Sequence, residues 1–257
     1  MYFETHAHYN NKRFNEDRDE LLATMHALGI DYCVTVGYDI RSSKVSIDLA
    51  NKYDYIYATV GVHPHDVEQL TDNDIETLRQ LAKEKKVVAI GEIGFDYYYE
   101  HSSKENQHRF FLAQLNLAKE LDMPVVIHSR DASGDMLDML KSVNLPTRNG
   151  KGAGVMHCFS ESLDMAKKYV NMGYFLGISG VVTYNNAKKL VEVVENIPLE
   201  SLFIETDCPY LAPVPNRGKR NDSLNLKYVV DVIAKIKGIS HEEVAKITKN
   251  NAERFFF

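Results

Sequence analysis

Six histidine and carboxylate side chains stand where predicted β-strands end. His6 and His8 close the first strand with one residue between them, so both imidazoles point to the same side of an extended chain. The others each follow a short apolar run: Glu92, His128, His157 and Asp207. Glu92 follows four apolar residues and a glycine, and a carboxylate there is costly to bury unless it is paired or bound to a metal ion. Imidazoles and carboxylates together are typical ligands of Zn²⁺ and Mn²⁺, and of Mg²⁺ where water completes the coordination.

The elements that must position these residues repeat along the chain. Short β-branched and aromatic runs alternate with longer amphipathic segments. The eight strand-like runs begin near Tyr2, Tyr32, Tyr55, Val87, Val125, Gly154, Tyr174 and Leu202. Eight strand–helix repeats in 257 residues predict an α/β fold, a (β/α)₈ TIM-type barrel that forms a single domain over residues 1–257.

Helical patterns lie between the predicted strands. One apolar stripe covers residues 21–28 and another covers residues 75–81, after a capping signal at Thr71. Further helices are predicted over 104–120, 131–142, 160–170, 185–196 and 224–237. A last helix begins at the capping box of Ser240 and extends towards Asn250.

The barrel brings the six side chains to one place, because the carboxyl ends of all its strands lie at the same face. Taken singly, each residue has an ordinary explanation, such as a histidine at the edge of a loop. Together they would form a poorly satisfied polar cluster without cations. We therefore expect two divalent metal ions, Mg²⁺, Mn²⁺ or Zn²⁺, which can share a bridging carboxylate and activate a water molecule.

Composition and charge exclude several other classes of protein. With 36 acidic and 30 basic residues, the net charge of −6 argues against a basic surface that coats nucleic acid. The first strand is followed by no glycine-rich loop, which argues against a nucleotide cofactor and a doubly wound sheet. No apolar run of about 18 residues predicts a membrane span. The absence of a signal-peptide pattern and the low cysteine count predict a cytoplasmic protein.

The three cysteines show no metal-binding or redox spacing. Cys158 and Cys208 each follow a predicted ligand, so strand alternation would turn them away from the metals. We expect both to be small buried apolar residues. The sequence predicts no oligomeric state.

Motifs along the whole chain resemble those of the TatD family of metal-dependent deoxyribonucleases, within the amidohydrolase-like barrel superfamily. The motifs are GVHPH at 61–65, GEIGFDY at 91–97, HSRDA at 128–132, HCFS at 157–160 and ETD at 205–207. The loop that follows, PYLAP at 209–213 and RGKRN at 217–221, is also similar.

This resemblance implies a phosphodiesterase that acts on DNA, with 3′–5′ exonuclease activity. The ligand set that it implies is His6, His8 and Asp207 for one metal, Glu92 as the bridge, and His128 with His157 for the second metal. Asp207 is also implied to orient or deprotonate the attacking water. Glu205 is implied to support a ligand or to be an additional one.

Two positions depart from the family pattern. Glu4 stands where the family usually has aspartate, and we expect its longer side chain to face inward and move the first metal. Asp222 and Ser223 stand where a Glu-Pro pair is common, which affects the shape of the last loop.

Residues around the predicted metals could bind the substrate. The candidates are His63, His65, Arg130, Arg217 and Arg220. A short basic run such as 217–220 is usually a solvated turn, but its position beside the metals predicts a phosphate clamp. The two histidines could contact a phosphate or be structural. The aromatic run at 97–99 could stack on bases or belong to ordinary packing.

Other functions remain open at this point. An amidohydrolase or esterase acting on a small molecule would use the same barrel, although such enzymes often bridge their metals with a carboxylated lysine. Hydrolysis of misacylated transfer RNA is a related alternative. The non-enzymatic alternative is a metal-stabilised binding protein, which would not require the basic residues at 217–220.

Overall fold

The strands and helices alternate along the computed structural model, which describes residues 1–148 and 150–257. Over those residues the chain forms eight β-strands and nine α-helices. The strands are β1 (Tyr2–Ala7), β2 (Ile30–Val36), β3 (Ile56–Val60), β4 (Val87–Asp96), β5 (Val125–Arg130), β6 (Gly154–Met156), β7 (Tyr174–Ile178) and β8 (Leu202–Ile204). The helices are α1 (Arg18–Met25), α2 (Ile40–Lys52), α3 (Asp72–Leu81), α4 (Lys104–Glu120), α5 (Ser133–Val143), α6 (Leu163–Asn171), α7 (Lys188–Asn196), α8 (Leu226–Lys237) and α9 (His241–Phe256).

All eight strands are parallel and each pairs with the next in sequence order. The two outer strands then approach one another. The amide of Asp207 donates to the carbonyl oxygen of His6 at 2.9 Å, and the amide of His8 donates to that of Cys208 at 2.8 Å. The sheet is therefore a nearly closed barrel, and the predicted (β/α)₈ fold is confirmed.

An apolar cluster fills one end of the barrel interior. Its strand residues are Phe3, Val34, Val36, Ala89, Val126, Val155, Phe175 and Phe203. Residues from seven strands can meet in one cluster only inside the barrel. Phe255 and Phe256 of α9 complete it, with the rings of Phe203 and Phe255 centred 5.2 Å apart. Most of these residues lie near the beginnings of their strands, so α9 seals the amino end.

Three helices differ from their predictions. The first helix begins and ends three residues before the stripe predicted at 21–28, so Leu28 lies beyond it and is 61% exposed. The last helix continues to Phe256 instead of ending near residue 250, because its final turn packs into the barrel. The sequence analysis predicted no helix over Ile40–Lys52, where α2 lies. Ser42, Ser43 and Ser46 form half of the buried face of α2, so the apolar stripe that indicates a helix is limited to its second half. Among the described helices, none has both the length and the hydropathy that a bilayer span requires.

Candidate metal centre

Glu92 of β4 lies at the centre of the polar cluster, and its two oxygens face two different pairs of histidines. Oε2 is 3.5 Å from the Nε2 atoms of both His6 and His8. Oε1 is 2.8 Å from Nε2 of His157 and 3.1 Å from Nδ1 of His128. A carboxylate with one oxygen directed at each pair has the arrangement of a bridging ligand between two cations.

The first group is formed where β1 meets the loop after β8. The Nε2 atoms of His6 and His8 are 3.2 Å apart. Oδ1 of Asp207 is 3.3 Å from Nε2 of His8 and 3.8 Å from that of His6. Nδ1 of His8 donates to the carbonyl oxygen of Val36 at 3.0 Å. Because that nitrogen carries the proton in the neutral ring, the lone pair on Nε2 faces the group.

The second group is formed at the ends of β5 and β6. Nε2 of His128 donates to Oδ2 of Asp96 at 3.0 Å, which leaves Nδ1 directed at Glu92. Nδ1 of His128 and Nε2 of His157 are 3.4 Å apart. The structure thus brings together all six predicted ligands, while their role as ligands stays a prediction.

Asp96 is a buried residue to which the sequence analysis gave no role. Its Oδ2 accepts hydrogen bonds from Nε2 of His128 and, at 2.9 Å, from Nε2 of His65. Its Oδ1 accepts the backbone amides of Tyr98 and Tyr99, each at 3.0 Å. A carboxylate that holds the outer nitrogen of a metal-binding histidine fixes both the tautomer and the ring orientation. The signal in the sequence was a second carboxylate four residues after Glu92 in the same apolar strand.

Glu205 lies on the side of His157 that faces away from Glu92. Its Oε1 is 3.5 Å from Nδ1 of His157 and accepts the backbone amide of Cys158 at 2.5 Å. The carboxylate lies against Gly177 of β7, where any Cβ would overlap its oxygens. This placement lets Glu205 orient His157, and it also puts an oxygen near His6 in a group that could hold a metal ion.

The electrostatics keep the central carboxylates ionised. Burial alone would raise the pKa of Glu92, but His157, His63 and His128 hold it well below its usual value. Burial also raises the pKa of Asp207, but the hydrogen bond with His8 lowers it, and the net effect is a pKa below the usual value. Burial lowers the pKa of His157, yet Glu92 and Glu205 outweigh it and raise that pKa well above its usual value.

The donor set fits divalent cations. Two pairs of imidazole nitrogens, in His6 with His8 and in His128 with His157, face each other at 3.2 and 3.4 Å. Nitrogens that carry lone pairs repel at this distance unless a proton or a cation lies between them. The ionised carboxylates supply negative charge, and the imidazole nitrogens that face each other supply lone pairs once a cation displaces their protons. The residues present therefore match the metal-binding role predicted for them.

The centre opens into a cavity of about 710 Å³. Its lining includes His8, Tyr38, His63, His65, Asp66, Glu92, Asp96, Tyr99, His128, Ser129, Arg130, His157, Cys158, Ser160, Val181, Asp207, Tyr210 and Leu211. Three of the five predicted substrate-binding residues, His63, His65 and Arg130, are among them.

His63 has a defined tautomer and orientation in this cavity, while its role in substrate binding stays a prediction. Its Nδ1 accepts the backbone amide of His65 at 3.1 Å, so the proton of the neutral ring lies on Nε2. Nε2 is 3.6 Å from Oε1 of Glu92. Burial, followed by the neighbouring His128, lowers the pKa of His63 well below its usual value. The ring is therefore a neutral hydrogen-bond donor that points into the centre.

The two arginines of the last loop lie apart from the cavity lining. Arg220 forms an ion pair with Asp17, donates to the carbonyl oxygen of Arg13 and lies over the ring of Phe14. The guanidinium of Arg217 lies 4.0 Å from the ring centre of Tyr184. Their role as a phosphate clamp stays a prediction, and a phosphate at Arg220 would have to share that side chain with Asp17.

Glu4 is buried beside the centre, where its predicted effect on the first metal stays a prediction, whereas the expectation that Cys158 is buried away from the centre was wrong. The oxygens of Glu4 accept the amides of His6 and Thr206 and the hydroxyl of Thr206, so this carboxylate supports the backbone beneath the centre. Burial raises the pKa of Glu4 to about 8.

Cys208 is fully buried as expected, but Cys158 lines the cavity. The backbone of Cys158 has a φ of 44°, so the alternation of β6 does not continue past His157.

Comparisons with known proteins agree with this geometry. A family model described as TatD related DNase matches residues 3–257. A metal-dependent hydrolase of Bacillus subtilis, YabD, is 41% identical over 256 residues, which cover 100% of this chain and 99% of the relative. The protein named 3′-5′ ssDNA/RNA exonuclease TatD, from Salmonella typhimurium, is 33% identical over 259 residues, covering 99% and 98% of the two chains.

A solved structure shows the same fold. The TatD homologue YjjV of Escherichia coli K12 superposes with a TM-score of 0.92 at 32% identity, over 99% of this chain and 97% of the other. The family model, the relatives and the barrel all agree along the chain. This protein therefore belongs to the TatD-related DNase family of metal-dependent hydrolases.

Proposed function

We propose that this protein is a phosphodiesterase that uses two divalent metal ions to remove nucleotides from the 3′ end of single-stranded DNA. The observation that carries the proposal is the position of Glu92, whose two oxygens face two separate groups of imidazoles at the floor of an open cavity. A relative that is 33% identical and named a 3′-5′ ssDNA/RNA exonuclease supports the choice of substrate.

The chain offers one set of ligands to each ion. His6, His8 and Asp207 would hold the first, His128 and His157 the second, and Glu92 would contact both. When bound, two such ions activate a water molecule and stabilise the charge on the oxygens of the phosphodiester. Mn²⁺ and Zn²⁺ suit this mixture of imidazole and carboxylate, and Mg²⁺ suits it where water supplies further ligands.

Asp207 is the proposed proton acceptor. His8 lies 3.3 Å from its Oδ1 and is the main influence that lowers its pKa against the effect of burial. The carboxylate is therefore ionised at neutral pH, and it lines the cavity. With Oδ1 turned to His8, Oδ2 is available to orient the attacking water and to accept its proton.

Other side chains position the phosphodiester and the ligands. The Nε2 proton of His63 points towards Glu92, so it can donate to a phosphoryl oxygen as negative charge develops there. The guanidinium of Arg130 lines the same cavity and can bind a phosphate through two parallel hydrogen bonds. Asp96 acts through His128, whose ring it holds by a hydrogen bond, and Glu205 lies 3.5 Å from Nδ1 of His157, where it can orient that ring.

Incubation with a 5′-labelled single-stranded oligonucleotide tests the proposal. Metal-reconstituted protein should give a ladder of products shortened one nucleotide at a time from the 3′ end. A circular single strand, which has no end, should stay intact. The His128→Ala variant should lose the activity together with part of its bound metal, as measured by elemental analysis.

Three outcomes would contradict parts of the proposal. Equal cleavage by the wild type and by His128→Ala would reject the metal assignment. Cleavage of the circle would indicate an endonuclease. If the wild type hydrolyses lactones or aminoacyl esters and no phosphodiester, the enzyme is an esterase on the same barrel.

A further inference from the structure

Two exposed tyrosines and an arginine form an aromatic and cationic cluster at the edge of the cavity, which we call the Tyr-Arg ledge: Tyr98, Tyr99 and Arg130. Tyr98 is 57% and Tyr99 50% exposed, which is high for large aromatic side chains beside a polar site. The guanidinium of Arg130 lies 3.9 Å from the ring centre of Tyr98 and 4.7 Å from that of Tyr99. Tyr99 and Arg130 line the same cavity as Glu92.

The neighbours of the ledge give it a fixed shape. The rings of Tyr98 and Tyr99 are nearly perpendicular, with centres 4.8 Å apart. Tyr99 lies parallel to His101, with ring centres 5.7 Å apart and planes within 5°. The edge of one ring against the face of another is a favourable aromatic geometry. The ledge is therefore formed before any ligand arrives.

The backbone connects the ledge directly to the metal centre. Oδ1 of Asp96 accepts the amides of Tyr98 and Tyr99, while Oδ2 accepts Nε2 of His128. One carboxylate thus fixes the position of the ledge relative to a predicted metal ligand. Any group that stacks on the ledge is held at a constant position relative to Glu92.

The chemistry of the ledge selects its ligand. An exposed aromatic face combined with a guanidinium binds a flat π-system that carries a nearby negative charge. A nucleobase attached to a phosphodiester has both properties, and stacking on aromatic side chains is how proteins bind unpaired bases without reading their sequence. A base within a duplex presents no free face to such a surface.

We propose that the Tyr-Arg ledge stacks the base of a nucleotide next to the phosphodiester that is cleaved, and that this contact makes the enzyme select unpaired 3′ ends. The inference rests on the proposed function. It assigns a base-binding subsite to the residues 98, 99 and 130, while the metal centre performs the hydrolysis.

The test combines a variant of the ledge with a substrate that lacks the base. Oligonucleotides carry a tetrahydrofuran abasic unit at one of the three 3′-terminal positions, each in turn. For the wild type, we expect one position at which the abasic unit lowers kcat/KM by about tenfold to a hundredfold, the range given by the stacking of one base. The Tyr98→Ala/Tyr99→Ala variant should lose a similar factor on the normal strand and should show no further loss on the abasic strand.

Two controls separate stacking from damage to the metal centre. The Mn²⁺ affinity and the metal content should be the same in the double variant and in the wild type, because Asp96 binds backbone amides that both proteins retain. The Tyr98→Phe/Tyr99→Phe variant keeps both rings and should retain wild-type activity on the normal strand. The backbone amides that bind Asp96 are present in all of these variants.

The outcomes distinguish the two proposals. If the wild type cleaves the normal strand but the abasic unit and the double alanine variant have independent effects that multiply, the ledge does not bind the base. The same conclusion follows if the double alanine variant retains full activity on DNA. If the wild type cleaves no oligonucleotide at all, the proposed function fails as well.

Discussion

The two ends of the barrel interior have opposite chemistry, although the same eight strands build both. At the amino end, buried aromatic rings from Phe3, Phe175 and Phe203 pack against Phe255 and Phe256 of α9. At the carboxyl end, imidazoles and carboxylates surround an open cavity of about 710 Å³. Apolar burial stabilises the fold, whereas clustered buried charges stabilise it little and bind cations well. Substitutions at the amino end should therefore affect stability alone, whereas those at the carboxyl end should also affect metal binding and activity.

The largest effect is expected at the carboxyl end. Glu92→Gln keeps the shape of the side chain but removes the charge shared by the two groups of histidines. We expect kcat to fall by about 10³-fold or more, because several kcal/mol of charge stabilisation are lost with the metal. The free energy of unfolding of the chelator-treated protein should also fall, by about 3–5 kcal/mol, because the buried His157 and His128 lose the carboxylate with which they pair.

Steady-state kinetics, elemental analysis and urea unfolding measure these three properties of Glu92→Gln. Glu253→Gln in α9 is the matched control, and it should behave as the wild type. A Glu92→Gln variant with normal metal content and activity would show that this residue is not the bridge.

The second prediction concerns the amino end. Phe255→Ala removes a fully buried ring from the aromatic cluster and should lower the free energy of unfolding by about 3–5 kcal/mol. Activity at a temperature well below the melting point should stay near that of the wild type. Metal addition should still raise the melting temperature of this variant, since its ligands are intact. A large loss of kcat in the folded variant would show that the two ends are coupled.

Asp96→Asn should give an intermediate effect. The amide can accept hydrogen bonds through one oxygen only, so it cannot hold both His128 and the amides of Tyr98 and Tyr99. Loss of such a supporting carboxylate typically lowers metal affinity by about 10–100-fold. Titration with Mn²⁺ or Zn²⁺ measures the change. Asp135→Asn is the control, because this exposed carboxylate binds His108 and no predicted ligand; equal affinities in the two variants would contradict the assigned role.

The smallest effect is expected at Arg220. If its guanidinium also contacts a phosphate, Arg220→Ala should raise KM for DNA and reduce the slope of log KM against log salt by about one. If it only pairs with Asp17, the variant should lose at most about 1 kcal/mol of stability, as exposed ion pairs do, with KM unchanged. Kinetics over a salt series decide between these results, and Arg217→Ala provides the comparison within the same loop.

Much of the fold could be predicted because its signals are local. β-branched runs indicated all eight strands, and the predicted starts lie within two residues of the observed ones. Helix α2 was missed because tertiary packing places small serines where an apolar stripe is expected. The end of α9 was missed because Phe255 and Phe256 pack inside the barrel. The sequence around these two residues is the same whether their rings are buried in the barrel or belong to an unstructured C-terminal segment.

The candidate site was predicted because its residues lie within or just after the carboxyl-terminal part of a strand. His6, His8, Glu92, His128, His157 and Asp207 converge because the barrel places all strand ends at one face. Asp96 was missed because its role depends on contacts with His65 and His128, which are distant in sequence. The ion pair of Arg220 was missed because its partner, Asp17, lies 203 residues away in the sequence.

The hydrogen bonds of Asp96 have a consequence for how such an enzyme can diversify. This carboxylate binds the backbone amides of residues 98 and 99, and every amino acid except proline supplies such an amide. The side chains at these two positions can therefore change through mutation while His128 keeps its orientation. Mutations at these positions can thus change substrate preference without further mutations that restore metal binding. Substrate preference depends on the side chains of this short turn, whereas the orientation of His128 depends on its backbone amides.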